Sequence, residues 1–256
     1  MEKVLYKKSY QLNSFAPKRY DDLLGKRGIF STIRVLGKKP KFILIDYHIK
    51  NMNIALKKMN INFYISEKLI LDFLQPVFNK LNNTDSLLRV AINSNTISLS
   101  LRIRPKYYKN FIGVFSFYKR PIPHVKNLYY KKIMMLINSI YPRKQEIILC
   151  NKGLILEGCT TNLICIKNKK IYIPKEHYYK GCTISYLLKT TKRQIQKSNI
   201  AINNLNKYEE ILLVGSGKGV VSLSAIPAIN WKSKSNLIYK EFMNLYKKIL
   251  SKHDFK

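Results

Sequence analysis

Apolar positions along the chain fall into short strand-like runs and helical stripes. Phe30–Val35 and Phe42–Ile45, separated by Gly37-Lys38-Lys39-Pro40, read as a hairpin. Asp46 is the expected N-cap of a helix in which His48, Met52, Ala55 and Met59 recur at helical spacing. A second helix is expected after Ser66, disturbed by Pro76. Val90-Ala91-Ile92 and Ile97–Ile103 predict further strands. The second half predicts a helix around Leu128–Ile140 and then a meander over Glu146–Cys150, Leu154–Glu157, Asn162–Ile166 and Ile171–Ile173, with turns at Asn151-Lys152-Gly153 and Lys167–Lys170. A helix follows Gly181-Cys182-Thr183, with Ile184, Leu187, Leu188, Thr191 and Ile195 on one face. Ile211–Val214 reads as a buried strand, and the last helix carries Ile238, Phe242, Leu245 and Ile249. The irregular alternation argues against a doubly wound fold and for two mixed α/β domains with mainly antiparallel sheets. Arg120-Pro121-Ile122-Pro123 is the expected boundary, giving domains 1–120 and 121–256.

Composition narrows the class. With 256 residues, 46% hydrophobic and 12% aromatic, the chain can bury a substantial core, which excludes a disordered basic tail protein. No apolar run approaches the roughly 18–20 residues that cross a bilayer, and Met1–Lys8 is too charged for a secretory signal. A cytoplasmic location, or an organelle lumen, is therefore expected, with no membrane partner. Lys+Arg 47 against Asp+Glu 14 gives a net charge of +33. The basic residues are scattered pairs rather than one cluster, and Lys, Asn and Ile are abundant together, as an AT-rich coding sequence produces. The expectation is a solvated basic surface that attracts anionic small molecules, with no specific nucleic-acid partner.

Candidate chemistry is sparse by spacing alone. Cys150, Cys159, Cys165 and Cys182 lack C-x-x-C spacing and read as reduced structural thiols, and the four histidines show no ligand pattern, so no metal site is expected. Gly215-Ser216-Gly217-Lys218-Gly219 follows an apolar strand, but Leu212 stands where a P-loop needs its first glycine and Gly219 where it needs Ser or Thr. Val220 breaks the dinucleotide fingerprint. Two glycine-bearing places remain where backbone N–H groups could face an anion, at Ser216 and at the helix start Gly181-Cys182-Thr183.

Leu156-Glu157-Gly158-Cys159-Thr160-Thr161-Asn162-Leu163 resembles the E-G-x-x-x-N-[LIF] signature of the class IV aminotransferase and aminodeoxychorismate lyase family, which depends on pyridoxal 5'-phosphate. Further segments follow in the family's order. Gly28–Val35 is similar to G-x-F-E-T-I-R-V, Asp46-Tyr47-His48-Ile49 to the acidic-x-His-Leu helix start, and His124–Tyr130 to the stretch bearing the cofactor lysine. Gly181-Cys182-Thr183 is similar to G-I-T, and Val214-Gly215-Ser216-Gly217 to T-G-T-A.

The resemblance implies the two-domain fold type IV, like aminodeoxychorismate lyase and D-amino-acid aminotransferase. It makes Lys126 the Schiff-base lysine and proton shuttle, and Glu157 the partner of the pyridine nitrogen. Tyr130 would bond the phenolic oxygen, and Cys182, Thr183, Ser216 and Gly217 would hold the phosphate. The implied substrate is a small amino-acid-like molecule, and family members are typically homodimers. Lysis of aminodeoxychorismate to 4-aminobenzoate and pyruvate is the leading reaction, favoured by chain length. Transamination of branched-chain or D-amino acids is the alternative, and a basic binding protein with decayed catalysis the second. Three positions depart from the family pattern: Asn51 replaces the phosphate arginine, with Lys50 beside it, Ser31 replaces a common glutamate, and Ile184 replaces an arginine.

Overall fold

The computed structural model describes residues 3–37, 40–81 and 84–252, so Lys38 and Lys39 of the expected hairpin turn lie outside the described residues. The backbone divides into two units: Met1–Pro105 with Val125–Lys131, and Lys106–His124 with Lys132–Lys256.

The first unit opens with β1 (Val4–Gln11), β2 (Pro17–Lys18), β3 (Ile29–Gly37) and β4 (Lys41–Phe42). Helices α1 (Ile45–Lys58), α2 (Glu67–Leu74) and the short α3 (Phe78–Leu81) come next, then β5 (Thr84–Ile92) and β6 (Thr96–Ile103). The six strands form one sheet in the order β2-β1-β6-β5-β3-β4, every pair antiparallel. The expected hairpin is present, with Val35 opposite Phe42. Ile43 and Leu44, however, leave the strand. Leu44 adopts a left-handed conformation (φ 56) and caps α1 without a side-chain hydrogen bond, so Asp46 is a first-turn residue rather than the N-cap. Ser66 caps α2 as expected, accepting from the Leu69 N–H at 3.2 Å. Met52, Ala55 and Leu56 turn one face of α1 into the core cluster that also holds Ile33, Leu88, Leu99 and Leu101, and His48 is buried on the same helix.

The second unit contains β7 (Asn110–Phe117), α4 (Lys131–Asn138), β8 (Gln145–Asn151), β9 (Leu154–Gly158), β10 (Asn162–Lys167) and β11 (Lys170–Pro174). Then come α5 (Cys182–Thr190), β12 (Ile195–Ser198), β13 (Glu210–Gly215), β14 (Gly219–Ile226), β15 (Trp231–Lys232) and α6 (Leu237–Lys252). Its sheet runs β12-β11-β10-β13-β14-β7-β8-β9, with β15 on β14. The expected meander holds as strands but not as order. The chain does not pair β9 with β10; β10 lies between β11 and β13, and β7–β8, β7–β14 and β11–β12 are parallel. Ile195 begins β12 instead of extending the face of α5, because the helix ends at Thr190. Phe111, Ile148, Leu163, Leu213 and Trp231 anchor a core on the sheet. Ile238, Phe242, Tyr246 and Ile249 bury the inner face of α6, so Tyr246 is the deeply buried member where Leu245 was expected.

The expected boundary at Arg120/Pro121 differs from these units. The first run ends at Pro105, and Val125–Lys131 returns to the first unit because its backbone is stitched to Gly25–Phe30. The four cysteines are buried thiols. No helix among the described residues is long and apolar enough to cross a membrane.

Candidate functional site

In the first unit, Lys126 lies on an irregular segment held by main-chain bonds. Its carbonyl accepts from the Phe30 N–H at 2.9 Å, Asn127 bridges Ile29, and the Leu128 N–H donates to the Gly28 carbonyl at 2.9 Å. Gly28 makes this approach possible, since a Cβ there would meet the Ile92 carbonyl oxygen at 2.4 Å. The Lys126 Nζ stands 5.2 Å from the centroid of the Phe30 ring, and the buried Tyr130 packs edge-on against the same ring at 5.0 Å. The lysine and tyrosine singled out by the resemblance are thus gathered around one phenyl group.

Two further groups of this unit bear on that place. Ser31, standing where the family often has glutamate, is buried and hydrogen-bonded to Nδ1 of His48 at 2.7 Å. Burial first, and the Lys126 charge second, push the His48 imidazole down to about 3. Arg89 was not singled out by sequence reasoning. Its guanidinium carbon lies 5.1 Å from the Phe30 centroid, and its Nη1 donates to the Asp22 carbonyl at 2.9 Å. The Nη2 is buried with no hydrogen-bond partner. Desolvation lowers the pKa of Arg89. Lys50 is exposed on α1 and Asn51 half-buried.

In the second unit, Glu157 is the next-to-last residue of β9 and is 3% exposed. Arg120, also buried, faces it in a bidentate pair: Nε donates to Oε1 at 2.8 Å, and Nη2 donates to Oε2. The Tyr179 N–H adds a third donor to Oε2 at 3.2 Å. A carboxylate is an acceptor chemically suited to a ring N–H as well as to a guanidinium fork.

The two expected anion sites converge. Thr183, buried in the first turn of α5, has its Oγ1 3.3 Å from Oγ of Ser216, which lies in the three-residue turn between β13 and β14 with Gly217. Gly181 caps α5 in an extended conformation and makes no side-chain capping hydrogen bond. Asn162 steadies the cap by accepting from the Gly181 N–H at 3.1 Å. Cys182 is buried behind it, and Ile184, at the position of the usual arginine, belongs to the core. The Thr161 Oγ1 is buried with no hydrogen-bond partner on the side of Gly158, not at this turn. Paired hydroxyls at a helix start fit an anionic group of phosphate size, which supplies acceptors to both.

The anion cup and the buried carboxylate belong to the second unit, and the ring-packed lysine to the first. The family model described as amino-transferase class IV matches residues 28–226, and the chain belongs to that family. An aminodeoxychorismate lyase of Bacillus subtilis (strain 168) is 24% identical over 250 residues, covering 86% of this chain and 85% of the relative. The fold is similar to that of a branched-chain aminotransferase from Thermoproteus uzoniensis solved with norvaline: TM-score 0.81, 14% identity, 98% of this chain and 96% of the other. It is also similar to a hypothetical aminotransferase from Mycobacterium tuberculosis in a PLP-bound form: TM-score 0.76, 13% identity, 95% and 98% covered.

Proposed function

We propose that this chain is a pyridoxal 5'-phosphate enzyme whose reaction is the lysis of aminodeoxychorismate to 4-aminobenzoate and pyruvate. The observation that carries the cofactor assignment is the convergence of Thr183 and Ser216 at the start of α5. The curated relative supports the choice of lyase.

When bound, the cofactor supplies an electron sink for the pair left by a broken C–H bond. Every other task belongs to the chain. Thr183 and Ser216 donate their hydroxyls to the phosphate, joined by main-chain N–H groups of Cys182, Thr183 and Gly217. Glu157 would face the ring nitrogen, and Arg120 fixes that carboxylate in direction. The Tyr130 hydroxyl donates to the phenolic oxygen. Lys126 would hold the cofactor through its amine and, once free, would take the proton from the substrate carbon that bears the amine. Arg89 offers a desolvated N–H to a carboxylate of the substrate. Elimination of pyruvate then leaves an aromatic ring, so this branch needs no keto-acid acceptor. A homodimer is expected from the family resemblance.

Purified protein reconstituted with pyridoxal 5'-phosphate should show a visible absorbance band that borohydride abolishes and that Lys126→Ala lacks. Supplied with aminodeoxychorismate alone, it should release 4-aminobenzoate. Turnover only of amino acids with 2-oxoglutarate would assign transamination instead, and a chain that takes up no cofactor would overturn the enzyme reading.

A further inference from the structure

Lys218 belongs to the glycine-rich stretch whose nucleotide motifs fail, and the proposed reaction gives it no role. It is nevertheless 7% exposed, and its ammonium pairs with Glu146, which is 1% exposed. Removing two charges from water carries a desolvation cost for each ion, and a well-packed apolar pair of the same volume commonly serves stability as well or better. A buried pair in a chain with so few acids therefore points to a geometric task.

That task is visible in the partners of the Glu146 carboxylate. Oε1 accepts from the Thr160 N–H at 3.0 Å, and Oε2 accepts from the Thr160 hydroxyl at 2.9 Å and from Nζ of Lys218. Thr160 lies three residues after Glu157, and Lys218 two residues after Ser216. One carboxylate on β8 thus ties the loop that follows Glu157 to the turn that carries Ser216. Glycines let the pieces close up: a Cβ on Gly215 would meet the Thr160 carbonyl oxygen at 2.9 Å, and one on Gly158 would meet the Glu146 side chain at 3.1 Å. The far side of the ammonium is covered by aromatic faces, with Nζ 4.9 Å from the Phe111 centroid and 5.7 Å from that of Tyr107. The charge is directed inward, at Glu146.

We propose that Lys218 and Glu146 are positioning residues of the cofactor-phosphate cup. Their ion pair sets the spacing between the Glu157 loop and the Ser216 turn, so that the cup is preorganised before its anion arrives. This rests on the reading of Thr183 and Ser216 as phosphate ligands. Binding to a preorganised cup avoids the ordering of two loops, which is where the affinity comes from.

The test compares binding of pyridoxal 5'-phosphate with binding of pyridoxal, which lacks the phosphate, by the wild type and by Lys218→Met, Glu146→Gln and Lys218→Arg. The preference for the phosphorylated form should fall about tenfold or more in the first two, the scale on which outer partners tune metal-ligand sites. Lys218→Arg, which keeps the charge, should recover part of it. The phosphorus resonance of the bound cofactor should move in the same two variants. A merely structural pair would weaken both ligands equally, and an unchanged preference in folded Lys218→Met and Glu146→Gln overturns the inference while leaving the cofactor site intact. A wild type that binds neither ligand, or both equally, overturns the site reading and this inference with it. Should the single variants fail to fold, the double variant Lys218→Met with Glu146→Leu, free of an unpaired buried charge, carries the same comparison.

Discussion

Arg120 engages both carboxylate oxygens of Glu157 from 37 residues upstream, and both side chains are buried. Such a fork is worth little as net stability but much as geometry, because either charge alone would be stranded.

Arg120→Met should therefore destabilise the cofactor-free protein by about 3–5 kcal/mol, the cost of an uncompensated buried charge. Adding Glu157→Gln to that variant should return part of the loss. Denaturant unfolding of the single and double variants measures both, and additive losses would show that the two side chains act independently.

The His48 imidazole, pushed down to about 3 from 6.5, ties stability to pH. Between those values the unfolded chain binds a proton that the folded chain refuses. Stability is undiminished above about 6.5 and falls as the pH drops, by up to about 1.4 kcal/mol per unit. His48→Gln should flatten this acid limb of the unfolding midpoint, measured from pH 7 to 4.5. An equally steep limb in the variant would place the titration elsewhere.

Thr183→Val and Ser216→Ala each remove one hydroxyl from the anion cup while nearly preserving volume. Hydrogen bonds to a charged group contribute about 1.5–3 kcal/mol, so each variant should bind pyridoxal 5'-phosphate roughly ten- to a hundredfold more weakly. Fluorescence titration of the reconstituted protein reads the change. Unaltered affinity in both would remove these hydroxyls from the phosphate site.

Gly28→Ala places a methyl group 2.4 Å from a main-chain oxygen of β5 and 2.7 Å from Leu128 Cδ1. A backbone carbonyl inside a sheet cannot step aside, so a loss of about 2 kcal/mol or more is expected. The shift should also reach the segment bearing Lys126, two residues before Leu128. Thermal unfolding and the borohydride-sensitive band of Gly28→Ala should therefore fall together.

Elements with strong local signals were legible. The continuous apolar runs of β10 and β13 and the Ser66 cap of α2 are written in adjacent residues. The strands β1 and β7 were not, because V-L-Y-K-K-S-Y-Q and N-F-I-G-V-F-S-F acquire their meaning from partners far along the chain. β1 pairs with β6, some ninety residues on, and β7 makes two parallel pairings that no turn announces. The helix start at Ile45 was misread because a left-handed leucine carries no sequence mark.

The same division holds for the site. Lys126, Glu157 and Ser216 stand in recognisable strings, whereas composition could not have chosen Lys126 among so many lysines. Arg120 and Arg89 announce themselves only by burial and by what they do or do not touch. Glu146 did leave a trace, a lone carboxylate at the head of the apolar run I-I-L-C, which a buried strand tolerates only if something answers its charge.

The return of Val125–Lys131 to the first unit bears on how the gene can be divided. A fragment ending at residue 120 would omit the seven residues that accept from the Phe30 and Gly25 amides and donate to the Gly28 carbonyl. It would leave those main-chain groups to solvent beside an otherwise intact sheet. The same cut would leave β7 on the amino-terminal fragment, away from β8 and β14 with which it pairs, so neither half, split at the prolines, encodes a self-contained piece and expression of the separate fragments should yield aggregates.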